Sequence, residues 1–353
     1  MKPVHLCGRG LACALGQDVE SSLAALRSGG VEPSSRQLPG EMGGRFPYYS
    51  IPSGQHDWNA RARDLVQRVA SASGAQQIRN GALFLATSSF DIGAVEQGTA
   101  QMDYGAFADK VRQWLAWTGP VYMINTACTS GLNALLSAHA LLNEGMEEDA
   151  LVLGVELDNR LTPGGFAALQ LLTRNSSKPF AAHRDGMVLG EAVAALRLSV
   201  REPATWLMSG GANVVDGSQP TGASVSAVVD MYQRALAASG LTADMIDLIK
   251  VQAAGSPGND AVEAQGLRQA FSVMPALVSL KAAIGHTMGA SGVAELVLLT
   301  ACLEQGVWPQ YAEIADADLG VGLAEHMPEA VRRIAATILG FGGSHATVVL
   351  ERT

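Results

Sequence analysis

Val121-Tyr122-Met123-Ile124-Asn125-Thr126-Ala127-Cys128-Thr129-Ser130-Gly131 is the stretch on which the fold turns. Its first four residues read as a short buried strand, and beyond it Leu132, Leu135, Leu136, His139 and Leu142 recur at the spacing of one helix face. Cys128 therefore stands on a strand-to-helix turn. Unpaired backbone N–H groups and the positive end of the helix dipole favour a thiolate over a thiol at such a place. A thiolate there is a nucleophile, and that reading predicts a partly exposed Cys128 with a depressed pKa. The alternative is a small buried packing residue, the common fate of a free cysteine.

Strand-like and helix-like segments alternate outward from this turn in both directions, which predicts an α/β layered architecture. On the N-terminal side, Val4 to Cys7 reads as a strand, and Val19, Leu23 and Leu26 as the inner face of a helix ending near Gly29-Gly30. Glu32 to Asn59, rich in Gly, Pro and Ser, reads as a loop excursion. Helical character returns from Arg61 to Ala75, Gly81 to Thr87 is a buried strand, and Phe107 to Trp117 a helix. After the Cys128 helix comes the all-apolar strand Ala150 to Val155. Buried strands joined by helices imply parallel neighbours, because a parallel pair needs a crossover connection. Cys128 is then at the carboxyl end of a strand, where open α/β sheets hold their ligands.

A second group of the same kind follows Arg201-Glu202-Pro203. Trp206 to Ser209, Ile246 to Val251 and Ala276 to Leu280 are strand-like, with helices over Val225 to Ala238, Asp260 to Phe271 and Val293 to Leu303. Gly240 fits a helix C-cap. Ala335 to Leu339 and Ala346 to Leu350 close the chain as strands. The similar element order of residues 1–200 and 201–353 suggests an internal duplication.

Composition narrows the function. A chain of 353 residues with 48% hydrophobic and 16% charged residues has ample material for a globular core. A net charge of −9 with no basic stretch to offset it argues against nucleic-acid binding. No run approaches the roughly 18 apolar residues of a membrane span, and the N-terminus lacks a signal-peptide pattern, so the expectation is a cytoplasmic protein with no membrane association. Cys7, Cys13, Cys128 and Cys302 lie far apart without CxxC pairing, so neither a disulfide framework nor a metal site is expected.

Two further turns occupy the same kind of position as that of Cys128. Lys281 and His286 lie in Ser279-Leu280-Lys281-Ala282-Ala283-Ile284-Gly285-His286-Thr287-Met288-Gly289-Ala290-Ser291-Gly292, after a strand and before a helix, where their side chains converge on the crevice of Cys128. Gln252-Ala253-Ala254-Gly255-Ser256-Pro257-Gly258-Asn259-Asp260 follows the preceding strand. It reads either as a turn with Asp260 as helix N-cap or as one that aims the Gln252 amide into the crevice.

Over nearly its whole length the chain resembles the β-ketoacyl-acyl carrier protein synthases, the condensing enzymes of the thiolase-like superfamily. Gly8-Arg9-Gly10 and Ala14-Leu15-Gly16 fit the family's opening strand and helix, and Thr126-Ala127-Cys128-Thr129-Ser130 its nucleophile turn. Lys178-Pro179-Phe180, Arg184-Asp185-Gly186 and Gly190-Glu191 match its KPF…RDG…GE signature. Lys281, Gly285-His286, Gly289-Ala290 and Glu295 fall where the family carries its lysine, second histidine and buried glutamate, and Gly340-Phe341-Gly342-Gly343-Ser344-His345-Ala346 resembles its terminal GFGG(S/T)NA turn. The resemblance implies a thiolase-like α/β/α/β/α fold built from two similar halves, and no cofactor beyond substrates carried on the phosphopantetheine of acyl carrier protein. It also implies a mechanism. Cys128 takes an acyl chain, and malonyl carrier protein decarboxylates and attacks it. Backbone N–H groups at Cys128 and Phe341 hold the oxyanion, His286 donates to the malonyl thioester carbonyl, and Lys281 and Glu295 orient that site.

Two departures matter. Counting back from Asp260 along the family's HGTxTPxxD pattern places Gln252 where a catalytic histidine is expected, with Ala253 and Ala254 in place of Gly-Thr. A glutamine amide donates a hydrogen bond but does not titrate near neutral pH. Only about forty residues separate the Gly81 strand from Cys128, where the family implies a longer segment that builds the dimer interface. Three readings follow: a condensing enzyme with a Cys-Gln-His set, a partner resembling the chain-length factors of heterodimeric ketosynthases, or another Cys-dependent acyltransferase. The two losses together favour the partner in fatty acid, polyketide or polyene chain elongation, a heterodimer with a complete ketosynthase rather than a homodimer. Met102 to Trp117 and Phe166 to Leu172 are then expected at the interface.

Overall fold

The computed structural model describes residues 2–38, 44–218 and 220–353. The first half of the chain runs β1 (Val4–Cys13), α1 (Val19–Arg27), β2 (Ser34–Leu38), β3 (Gly44–Tyr49), α2 (Trp58–Ala72), β4 (Ala82–Ala86), α3 (Ile92–Glu96), α4 (Tyr104–Leu115), β5 (Val121–Ile124), α5 (Ser130–Asn143), β6 (Asp149–Glu156), α6 (Leu161–Ala168), β7 (Leu189–Gly190) and β8 (Ala192–Ser199). The second runs β9 (Trp206–Val215), α7 (Val225–Ser239), β10 (Leu248–Lys250), α8 (Pro257–Ala270), β11 (Ala276–Val278), α9 (Lys281–Ile284), α10 (Ser291–Gln305), β12 (Arg333–Leu339) and β13 (Ser344–Arg352).

Ten of these strands form one sheet in the order β11-β10-β12-β13-β9-β1-β8-β6-β4-β5. Read outward from the centre, each half contributes its first, fifth, fourth, second and third sheet strand in that order. Strand directions repeat too: β1-β8-β6 and β9-β13-β12 are antiparallel, β6-β4-β5 and β12-β10-β11 parallel. The antiparallel pairs depart from the all-parallel expectation. In the second half the cause is plain, since β12 and β13 are joined by a short turn that no parallel pair can use.

Alternating residues of each strand enter different cores, and that fixes the layers. Ala82, Phe84 and Ala86 of β4, with Leu248 of β10 and Ala336 of β12, pack on Leu132 and Leu135 of α5 and on Val293 to Leu299 of α10 in a central core. Leu83 and Leu85 face α2 and α4. Ile249, Ala335 and Val349 face α7 and α8. The result is helix, sheet, helix, sheet, helix. Because α10 lies in the middle layer, its residues from Ser291 to Leu303 are all buried. The two central helices cross closely at a glycine on each. A Cβ on Gly131 would stand 3.0 Å from the Val293 nitrogen, and one on Gly292 would stand 2.7 Å from that of Leu132.

Two other local expectations are corrected. The stretch expected as a loop from Glu32 to Asn59 contains β2 and β3, which pair antiparallel and continue into β7 as a three-stranded sheet, while residues 39–43 lie outside the described ones. Its Gly, Pro and Ser content masked the apolar residues Leu38, Phe46, Tyr48 and Tyr49, all of which are buried. β5, expected to be buried, is a sheet edge with Tyr122 42% exposed. Among the described residues no helix is long and apolar enough to cross a membrane.

Candidate active site

Cys128 precedes the first turn of α5, and the turn that aims it is built locally. Ala127 takes a left-handed φ of 52°, Ala127 N–H donates to the Asn125 side chain and Thr126 N–H to Ser130 Oγ. A non-glycine residue held at positive φ stores strain, which concentrates at functional sites. His286 reaches the same point from the other half. Its N–H donates to Val188 O at 2.8 Å and its carbonyl accepts from Gly190 N–H at 3.0 Å, so β7 straps the residue down. The strap needs glycine, since a Cβ on Gly190 would sit 2.2 Å from the Ile284 oxygen. The carboxylate after it, Glu191, is clamped by both Arg61 guanidinium nitrogens and by the N–H groups of Ile51 and Asp158.

The two side chains meet. His286 Nε2 lies 3.0 Å from Cys128 Sγ, and His286 Nδ1 lies 3.1 Å from Ser291 Oγ, which in turn lies 3.2 Å from Thr287 Oγ1. With Nδ1 accepting from Ser291, the ring proton sits on Nε2 and points at the sulfur. Burial first, then Lys281 and Lys250, hold the imidazole well below its ordinary pKa, so the ring is neutral.

Cys128 itself corrects an expectation. It is buried, 4% exposed, and burial pushes the thiol up to about 11 rather than down. The N–H groups of Phe341 and of Cys128 itself face the sulfur and work in the expected direction, as does Lys281, but desolvation outweighs them.

Lys281 and Glu295 form an ion pair, and the structure adds a residue that sequence reasoning missed. Glu295 Oε1 accepts from Lys281, while Glu295 Oε2 accepts from Lys250 Nζ at 2.8 Å. All three are fully buried. Lys250 also donates to Thr337 O at 2.6 Å. Burial alone would push Glu295 up, and the two ammonium groups reverse it to below the ordinary range. The available signal was a lone lysine in the apolar run Leu248-Ile249-Lys250-Val251, where alternation puts Leu248 and Lys250 on one face.

Gln252 is not hydrogen-bonded to Cys128 or His286 among the described residues. Its main-chain N–H and that of Ala253 donate to the two oxygens of Glu263 at 2.7 Å each, and its Oε1 is buried without a partner. Asp260 is not the N-cap of α8, a place taken by Ser256. From the first helical turn its carboxyl accepts from the N–H groups of Phe180, Ala254 and Gly255, so it ties the Lys178-Pro179-Phe180 segment to the Gln252 turn. The Phe341 turn completes the site. Gly342 N–H donates to Pro220 O at 2.9 Å, Ser344 Oγ lies 2.8 Å from Thr129 Oγ1, and the Phe341 ring stacks on Phe166 at 5.3 Å. Only glycine fits at Gly343, where a Cβ would meet the Asp216 oxygen at 1.7 Å.

A duplicated five-layer fold that brings a cysteine from one half against a histidine from the other defines the class, and comparison with known proteins gives the family. Residues 56–204 match the family model "Beta-ketoacyl synthase, N-terminal domain" and residues 207–315 match "Beta-ketoacyl synthase, C-terminal domain". The chain belongs to the β-ketoacyl synthase family. Among similar proteins, the spectinabilin polyketide synthase system protein NorC of Streptomyces orinoci is 32% identical over 268 residues, which is 66% of this chain and 12% of that protein. The 3-oxoacyl-[acyl-carrier-protein] synthase 2 of Coxiella burnetii is 28% identical over 66% of this chain and 62% of its own length. In fold, the chain superposes along 100% of its length on a chain of the Xenorhabdus doucetiae ketosynthase in complex with its chain length factor, covering 98% of it (TM-score 0.84, 22% identity). It superposes equally on a β-ketoacyl synthase from Burkholderia phymatum, covering 100% of that chain (TM-score 0.84, 21% identity).

Proposed function

We propose that this chain is an acyl-accepting ketosynthase subunit that works in fatty acid or polyketide elongation beside a second, complete ketosynthase chain. The observation that carries the reading is the asymmetry of the site: Cys128 and His286 are in contact at 3.0 Å, while Gln252, at the third position, is an amide whose Oε1 has no partner. The first supports acyl transfer. The second withholds an imidazole from the decarboxylating step.

In the proposed first step the Cys128 sulfur attacks the carbonyl of an acyl thioester on the phosphopantetheine of a carrier protein. The new bond is Cys128 S–C(O), the bond broken is the carrier's C–S, and the thiol proton is handed to the departing pantetheine sulfur. The N–H groups of Cys128 and Phe341, already directed at the sulfur, are placed to meet the oxyanion. In the second step malonyl thioester loses CO2. The resulting carbanion displaces the acyl group from Cys128, and the freed thiolate takes up a proton from water. His286 stabilises the enolate oxygen in that step, and Lys281 and Glu295 hold the electrostatic floor behind it.

Mass spectrometry after exposure to an acyl carrier-protein thioester or cerulenin is expected to show an adduct on Cys128 that Cys128→Ala abolishes. Adducts on Cys7 or Cys302 in its place overturn the acyl-accepting reading. Purification with a co-expressed ketosynthase tests the partner, and a soluble homodimer that condenses and ignores the second chain overturns it. The latter is the second reading, and the intact Cys128–His286 contact is what favours it.

A further inference from the structure

The buried triad holds two ammonium groups and one carboxylate, so it is not electrically balanced. Glu295 of α10 sits between Lys281 of α9 and Lys250 of β10 and bonds one with each oxygen. Of the remaining groups near Lys250, Thr337 offers a neutral carbonyl, and the α8 carboxyl Glu263 is raised by burial to about 8, so at neutral pH it is predominantly uncharged. One positive charge is left over in the layer behind His286.

We propose that Lys250 is a positioning residue which, by sharing Glu295 with Lys281, leaves that uncompensated charge behind His286 and so adds to burial in holding the ring as a neutral hydrogen-bond donor opposite Cys128. Were Glu295 paired with Lys281 alone, the floor would be neutral and the imidazole freer to take a second proton. A cationic ring donates from both nitrogens, so the Ser291 hydroxyl at Nδ1 must turn from donor to acceptor. With Gln252 in place of an imidazole, His286 is the one ring of the Cys128, Gln252 and His286 set, so its protonation state decides what the site can donate. The functional meaning of this inference rests on the acyl-transfer reading above, but its physical content does not.

The Cys128 thiol and the Ser291 hydroxyl touch the ring, and the charges that bear on it are Lys281 and Lys250, both bonded to Glu295. The test is nitrogen-15 NMR of histidine-labelled protein, with the His286 signals identified by their loss in His286→Gln, titrated from pH 4 to 8. In Lys250→Gln, where the amide can still donate to Thr337 O, the His286 midpoint is expected to rise by about one pH unit or more. Lys250→Arg, which keeps the charge, should restore the wild-type titration. Should Lys250→Gln fail to fold, Lys250→Met gives the same comparison with the cavity filled. Glu295→Gln, which adds net positive charge, should move the midpoint the other way. A His286 titration identical in wild type and the charge-deleted variant overturns the inference. Absence of any Cys128 adduct overturns only the acyl-transfer reading, because the NMR midpoint is read without substrate.

Discussion

After β4 the chain turns through Ser88 and Ser89, and after β10, the strand at the same place in the other half, it turns through Gln252 and Ala253. Both turns point two consecutive N–H groups at a buried carboxyl, Glu156 in the first half and Glu263 in the second. There the likeness ends. The Ser88 and Ser89 hydroxyls and that of Thr87 all donate to Glu156, so every polar side chain of the first turn is spent on its own anchor. The Gln252 amide oxygen is buried and bonded to nothing. The same amide-to-carboxyl clamp occurs in both halves, with its carboxyl on β6 in the first and on α8 in the second. Chemistry is available only in the turn whose side chain the clamp leaves free.

The strongest way to sharpen the contrast is to restore an imidazole in the free turn. Gln252→His is expected to raise malonyl decarboxylation or condensation by about 10² to 10³, the usual worth of one preorganised donor. The comparison is radiolabelled CO2 release by the folded variant and by the wild type. An unchanged or lower rate would show that glutamine is the working residue of this turn and not a weakened histidine.

The crossing of α5 and α10 offers a second test, because the halves meet there through equivalent glycines of unequal clearance. Gly292→Ala places a methyl 2.7 Å from a main-chain nitrogen that cannot move aside, and Gly131→Ala places one at 3.0 Å. Overpacking of this kind costs about 3 kcal/mol at the tighter site and about 1 kcal/mol at the looser, after the small gain in helix propensity. Urea denaturation of the two variants should rank them in that order. Equal losses would mean that the helices part as a unit.

How far such pairs could be read beforehand depends on whether the signal was local. Cys128, His286, Lys281, Glu295 and Phe341 stand on turns with motif-like neighbours, and the strands carrying them are continuous apolar runs. The layered fold and these positions were therefore legible. Lys250 was passed over because a single lysine at the end of an apolar strand looks like a solvated strand end, and only the carboxyl on α10, 45 residues on, makes its burial tolerable. The Cys128 expectation failed for a different reason. A helix N-terminus is visible in sequence, but the depth at which it is buried is a property of five packed layers, and desolvation proved the larger effect.

The two clamps should also respond differently when made neutral. In Glu263→Gln the new NH2 must face one of two main-chain N–H groups, neither of which can rotate to accept, and the loss is expected at about 1 to 3 kcal/mol. In Glu156→Gln the amide oxygen keeps both main-chain donors, and Ser89 Oγ can turn to accept from the new NH2, so the loss should be under about 1 kcal/mol. Glu263 also has a pH signature. Its folded pKa, about 8, lies above the ordinary 4.5, so the folded state holds a proton that the unfolded chain releases. That stabilisation is complete below pH 4.5 and is lost as pH rises toward about 8. Thermal unfolding across that window should show a downward slope in wild type that flattens in Glu263→Gln. Equal slopes would mean that the carboxyl is ionised in both states.

The smallest expected effect is the most pointed. A buried acceptor without a donor costs about 1 to 3 kcal/mol, and apolar replacement of the same shape removes that cost. Gln252→Leu should therefore leave stability unchanged or raise it by about 1 kcal/mol. Ser89→Ala, which takes one donor from Glu156 in the matching turn, should lower it by about 1 kcal/mol. Denaturant midpoints measured side by side decide the matter. A clear loss in Gln252→Leu would make the amide a structural group like its serine counterparts, and the distinction between a spent turn and a free one would fall. Stability retained together with a lowered condensation rate would mean that this chain keeps an unsatisfied amide in its interior because a substrate, and not the fold, completes its hydrogen bonding.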